Sequence, residues 1–435
     1  MSRRLALAAV LILAAAFPAA ALDLVTFSPQ VIRTGEKIEV RIPNACSNSP
    51  APVVTRSGFE VTIRLTRPQP CTPETRVLEL GPFRPGEYSV GVFDGNAPWA
   101  FGAFRVLGEG EQPFEVRPFG LAATGGVELH IRLQDLAFSL CPQLKCAIRI
   151  GGVEAMTKRQ GSHPNEIVVM APPTAPGLHD VSIANGGSTV TLPGAVFTFG
   201  PGAPDFTHVE RILFPLNFDA PGAHGSLWRT ESAIANPQPW PIVTVNAIAP
   251  FVCPAVVGPC TELLQPHSKL AWNGGTYPHG VALLVTRRDA EDLAFSLRVR
   301  DVSRVAEGFG TEVPVVRERD MDVGTMTLLD VPLDPRYRVK LRIYAFGAAH
   351  GDTGFVRYGG RHVNYTVTRH CDSYESCAAT PAYAELDLPA GEPGTREIVS
   401  VVPPGNSLAW SFASVTNNDT QQVTLVTPDG TGGFR

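Results

Sequence analysis

The residues with the most evident chemistry in this 435-residue chain are eight cysteines, which fall in four close pairs: Cys46/Cys71, Cys141/Cys146, Cys253/Cys260 and Cys371/Cys377. Each pair lies in its own stretch of roughly a hundred residues. An even count at such intervals in an exported chain reads as disulfides, one staple per domain. A Cys46–Cys71 bridge would close a loop of 25 residues and stabilise by about 3 kcal/mol through restriction of the unfolded chain. The other three pairs close short loops, so their bridges depend on the local turn. Cys253 and Cys260 flank Pro254 and Pro259, which reads as a clip across one loop. No Cys-x-x-Cys is present, which argues against redox chemistry.

The densest set of potential metal ligands is His362, His370, Cys371, Asp372 and Cys377. Zinc needs thiolates and imidazoles that converge tetrahedrally, and this spacing fits no standard zinc pattern. No metal or other cofactor is expected. His224-Gly225-Ser226 places a base beside a hydroxyl, but a triad is an arrangement in space, and neighbours in sequence are more simply a loop. The chain has no Gly-x-Ser-x-Gly elbow, no His-Glu-x-x-His helix, no phosphate-binding glycine loop and no calcium repeat. No catalytic residue is assigned.

Binding chemistry is easier to place. Trp99 after Pro98, Trp240 between Pro239 and Pro241, and Trp272 before Asn273 stand in turn-like contexts and are candidate sugar-stacking aromatics, against the plainer reading of rings that fill core ends. Arg336, Arg338, Lys340 and Arg342 alternate with Tyr337, Val339, Leu341 and Ile343, which puts four cations on one strand face. That stripe reads as a solvated outer face balanced by Glu385 and Asp387 on a neighbouring strand. The competing reading is a site for an acidic polysaccharide.

These groups need elements to hold them. Glycine (41) and proline (40) approach a fifth of the chain, and charged residues make up only 18%. Short apolar runs such as Glu60–Leu65, Glu87–Phe93, Asp180–Ala184, Arg336–Tyr344 and Val423–Thr427 alternate with turn residues, the pattern of half-buried strands in sandwiches. Even at Arg288–Leu297, where helical spacing comes nearest, Leu293, Phe295 and Leu297 alternate as in a strand. Arg3 and Arg4, the apolar run Leu5–Phe17 and Ala19-Ala20-Ala21 read as a signal peptide over residues 1–21, expected to be cleaved. The mature chain then carries 36 − 2 = 34 basic and 41 acidic residues, a net charge of −7. That balance argues against nucleic acid, and no second long apolar run follows to span a membrane. Gly108–Pro113, Gly200–Pro204 and Gly308–Pro314 are expected linkers. The expected fold is therefore all-β, a tandem array of four immunoglobulin-like β-sandwich domains at 22–108, 113–200, 205–313 and 314–435.

The second of these resembles an IPT/TIG domain, on Pro118 with Gly125-Gly126, Ile148-Arg149-Ile150-Gly151-Gly152, the strand Ile167–Pro172, Pro176-Gly177 with Asn185-Gly186-Gly187, and Phe197-Thr198-Phe199. The resemblance implies an immunoglobulin-like fold and no single activity; Cys141 and Cys146 depart from the family pattern. The third and fourth stretches share Trp, Ser and Asn at offsets of zero, four and eight, at Trp228/Ser232/Asn236 and Trp410/Ser414/Asn418, which would make them diverged copies with equivalent core tryptophans. The C-terminal half also loosely resembles immunoglobulin-like modules of secreted bacterial proteins. The functional expectation is a non-catalytic exported envelope protein, periplasmic or extracellular, acting as a binding scaffold for a protein or glycan partner. The alternative is a glycan-binding or catalytic component of a polysaccharide-degrading system.

Overall fold

In a computed structural model, the structure describes residues 23–28, 31–133, 145–156, 158–163, 165–185, 188–200, 205–222, 225–246, 260–273, 276–277, 279–303, 310–370 and 380–428. Among them the fold is all-β, with eight sheets that fall two to each hundred-residue stretch. Packing divides the chain into two compact units. One is built on residues up to Val116 with His130–Met170 and Asp180–Ala195, the other on Arg117–Leu129, Ala171–His179 and Val196 onward.

In the first unit, strands Ile38–Cys46 and Pro73–Leu80 pair across a three-stranded sheet that faces the larger sheet of Gly86–Asp94 and Ala97–Leu107. Period-two alternation turns Ile38, Val40, Ile42, Val61 and Ile63 into the core. Gly86 of the Pro-Gly turn before Tyr88 has φ +149°, which side chains rarely adopt, and its missing Cβ leaves room for the Phe59 ring.

The expected bridges fare differently. Cys46 ends its strand and bonds Cys71, with Cα atoms 5.2 Å apart. Cys146 is also disulfide-bonded, and its expected partner Cys141 lies outside the described residues. Cys260 stands at the strand end of the expected loop clip. It opens the strand Cys260–Leu264, in register with Asn246 on the neighbouring strand. Cys253 lies outside the described residues, and the expected Cys253–Cys260 bridge with it. Cys371 and Cys377 both lie outside them as well.

The second unit contains the third and fourth sandwiches. Strands Val209–Phe214, Val281–Thr286 and Ile242–Asn246 form one sheet of the third, and Asn217–Pro221, Leu227–Asn236 and Ala294–Asp301 the core of the other. Part of the expected linker Gly308–Pro314, and residues past the expected 313/314 boundary, carry two edge strands of this sandwich. Thr311–Glu312 pairs with Ala294–Asp301, and Val316–Arg317 with Val209–Phe214. In the fourth, Ala382–Leu388, Tyr337–Phe346, Leu408–Asn417 and Val423–Val426 form an inner sheet, and Met326–Pro332, Arg396–Val402, Thr353–Tyr358 and Arg361–Thr366 an outer one.

The two sandwiches share a core. Tyr344, Phe346, Tyr383, Trp410 and Phe412 of the fourth are buried in one cluster with Phe214, Ile234 and Leu297 of the third. Val339, Leu341 and Ile343 face the other way, into the fourth sandwich's own core. The strand Tyr337–Phe346 therefore alternates in burial at its start and is buried on both faces at its end. Tyr344 Oη donates across the junction to the Pro215 carbonyl. Buried Arg211 lies between the rings of Phe206 (4.2 Å) and Phe346 (4.1 Å) and is gripped at two nitrogens by Glu318.

The strand Gly120–Ala122 is clasped to the third sandwich by Asp289. This fully buried carboxyl accepts the N–H of Phe119 (2.8 Å), the N–H of Gly120 (2.7 Å) and the Thr286 hydroxyl (2.7 Å). Burial pushes its pKa above the ordinary carboxylate range against the pull of these donors.

The duplication expected from Trp228 and Trp410 fails on register. Strands Leu227–Asn236 and Leu408–Asn417 both end in an asparagine whose Oδ1 accepts the N–H two residues on, from Gln238 (3.0 Å) and Asp419 (2.9 Å). The matching residue is thus Asn417, not Asn418, so Trp228 stands eight residues from its strand end and Trp410 seven. A slip of one residue puts a side chain on the opposite face. Trp410 is core, at 2% exposure, and Trp228 is only half-buried.

Candidate binding cleft

Cross-strand register arranges the junction face of the fourth sandwich's inner sheet in rows. Tyr383, Tyr344 and Trp410 form the first, Glu385, Arg342 and Phe412 the second, and Asp387, Lys340 and Ser414 the third, followed by Arg338 and Thr416. Side chains two apart on a strand share a face, so the face grades from aromatic to charged and hydroxylated over three steps. The aromatic end is sealed against the third sandwich. Where the rows turn polar the two sandwiches part, leaving a cleft of about 130 Å³. Phe218 and Trp228 line it from the third sandwich, and Phe412, Arg342, Ser414 and Thr416 from the fourth. Thr311 Oγ1, at the rim, donates across the junction to the Val423 carbonyl (2.8 Å).

Local geometry fixes the walls. Gly222 closes the hairpin before Trp228 by donating its N–H to the Ser226 carbonyl (2.8 Å), and a Cβ there would overlap the Trp228 indole. Phe412 stacks parallel to Tyr344 at 6.3 Å and packs on Trp410 at 5.3 Å. Arg342 is held by Glu385 (3.0 Å) and donates to Ser414 Oγ (2.9 Å). Burial works against its charge, but Tyr344, Tyr383 and Glu385 outweigh that and keep it cationic. Burial likewise pulls Glu385 upward. Lys340, the Tyr383 hydroxyl (2.6 Å) and Arg342 more than offset this and hold the carboxyl below its ordinary range.

The cationic stripe of the sequence thus has two halves. Arg336 pairs with Asp334 (2.9 Å), Arg338 donates to Gln421 (2.8 Å), and Lys340 pairs with Glu385 and with Asp387 (3.7 Å). Of these three only Lys340 meets the expected acidic neighbours Glu385 and Asp387; Arg336 and Arg338 find other partners. Arg342, with its side chain at 15% exposure, does not belong to a solvated face. The strand runs into the junction, and alternation alone does not show where a neighbouring sandwich begins.

The three candidate aromatics are half-buried, each against a core. Trp99 lies under the Arg67 guanidinium (4.7 Å) beside the first sandwich's core. Trp240 and Trp272 pack on the shared cluster, Trp272 at 5.1 Å from Phe214. None of them lines the cleft. Of the metal-like set, His362 meets the Phe355 ring edge-on at 4.4 Å, and His370 stacks on His279 at 4.5 Å. Burial and the neighbouring His370 hold His279 below the ordinary histidine range. Asp372 lies outside the described residues, as do both cysteines of that set. Among the described residues no three histidine, cysteine or carboxylate groups gather as metal ligands. His224 is outside them too, and Ser226 is buried. Sequence reading missed Phe412, Ser414 and Thr416, whose only signal was their alternation with Ala413 and Val415.

No family model matches the chain, and no curated protein matches it. Among solved structures it is similar to an SGBP-B from a complex xyloglucan utilization locus in Bacteroides uniformis, at 10% identity over 89% of this chain and 98% of that one, with a TM-score of 0.17. It is also similar to a Bacteroides ovatus SGBP-B of a mixed-linkage glucan utilization locus, in complex with a mixed-linkage heptasaccharide, at 12% identity over 64% and 75%, again at 0.17. Scores this low transfer no residue and no ligand to this chain. Among the described residues no helix is long and apolar enough to cross a membrane.

Proposed function

We propose that this chain is a non-catalytic exported binding protein that holds a carbohydrate in the cleft between its third and fourth sandwiches, on a frame whose second sandwich is of the IPT/TIG kind. The observation that carries this reading is the composition of one small site. Phe218 and Trp228, backed by the fully buried Phe412, offer aromatic surface for the apolar face of a sugar ring, and Arg342, Ser414 and Thr416 stand beside them to bond hydroxyls. The volume suits about one pyranose ring and is below the roughly 300–1,000 Å³ of common small-molecule pockets. A chain with one ring inserted fits it better than a compact cofactor. The Cys46–Cys71 bridge supports an oxidising compartment.

Trp228 is a native reporter. Titration of the full chain with neutral and acidic oligosaccharides should change its fluorescence. Trp228→Ala should weaken binding by about 2 kcal/mol, the value of one well-buried aromatic contact, or roughly thirty-fold in Kd. Binding that survives unchanged in both Trp228→Ala and Phe218→Ala places the site elsewhere, and no binding by the wild type to any oligosaccharide ends the proposal.

A further inference from the structure

Resting on that reading, we infer that the cleft selects uncharged sugars, because the cationic stripe beside it is neutralised from within. Among the described lining residues Arg342 is the one charged side chain, and its Nε lies 3.0 Å from Glu385. Lys340, in the next row out, contacts the same Glu385 and also Asp387. Two cations therefore face two carboxylates, a local balance of 2 − 2 = 0. Glu385 stays ionised at neutral pH because Lys340, Arg342 and the Tyr383 hydroxyl surround it. A uronate carboxylate brought to Arg342 would meet that fixed negative charge at short range, where partial burial weakens screening by solvent and salt. A sugar hydroxyl meets no such cost. It can share Arg342 and the Ser414 hydroxyl, which already form a donor–acceptor pair (2.9 Å). Arg338, with Gln421 as partner, is the nearest cation on the strand without a carboxylate, and it does not line the cleft.

The test compares a neutral β-linked glucan tetrasaccharide with a galacturonic acid tetrasaccharide by calorimetry on the full chain, at low and at physiological salt. The neutral oligosaccharide should bind at least about tenfold more tightly at both, with a Kd that barely moves with salt. Glu385→Gln leaves the two cations facing one carboxylate, so affinity for the acidic oligosaccharide should rise several-fold and become salt-sensitive. Asp387→Asn, at a site 84% exposed, should give a smaller change in the same direction and serves if Glu385→Gln misfolds. Wild type that prefers the uronate, or variants that gain no acidic binding, overturns the inference while leaving carbohydrate binding in place. Failure of both oligosaccharides in every protein overturns the carbohydrate reading and this one with it.

Discussion

Replacing Asp289 with alanine should loosen the clasp between Gly120–Ala122 and the third sandwich. The carboxyl is fully buried and is the acceptor for three donors: the Phe119 and Gly120 N–H groups and the Thr286 hydroxyl. Each buried donor left without a partner costs about 1–2 kcal/mol, so the variant should lose about 3–6 kcal/mol. Asparagine, a neutral isostere of the protonated acid that burial favours, keeps one acceptor oxygen and should lose about half as much. The second unit holds Trp228, Trp240, Trp272 and Trp410, four of the five tryptophans, so urea unfolding followed by fluorescence reports mainly on it. Amide exchange at Phe119 and Gly120 should accelerate in step with the loss of stability. A change under about 1 kcal/mol, or protected amides in the alanine variant, would refute the reasoning, because the donors would then have found other acceptors.

Three further outcomes are expected. Trp410→Ala should cost about 3–5 kcal/mol, as for a large ring removed from a core, and the half-buried Trp228→Ala clearly less, as denaturation curves will show. Lys340→Gln should change stability by under about 1 kcal/mol because the pair is partly exposed, whereas Arg342→Met, which strips a mostly buried cation from Glu385, should cost about 2 kcal/mol; equal effects would mean that the stripe is uniformly solvated after all. Burial raises Glu166, but His130 (3.0 Å), the His163 N–H (3.2 Å) and the Ser162 hydroxyl (3.0 Å) hold it below the ordinary glutamate range. The folded pKa is therefore below the unfolded one, so this group's stabilisation is complete above about pH 4.5 and is lost as pH falls through the folded value. Glu166→Gln should flatten the acid limb of a melting-temperature profile, and an unchanged limb would contradict the shift.

Local pattern in this sequence carried a good deal. Alternation of apolar and polar residues set strands such as Glu60–Leu65 and Val423–Val426, because a half-buried strand shows its two faces directly in its sequence. Gly-Gly pairs marked turns where the backbone needs positive φ, as at Gly125-Gly126 and Gly151-Gly152. The Cys46–Cys71 spacing fixed a bridge because both residues flank strands of the same small sandwich. What alternation does not contain is which face meets a second sandwich. Arg342 and Lys340 read alike along the chain, yet one lies in the junction and the other at its rim. Trp228 and Trp410 looked equivalent until the strand ends placed them one residue out of step. The cleft is built from rows contributed by strands up to about two hundred residues apart, so only tertiary packing decides that Phe218, Trp228, Phe412 and Arg342 share a site.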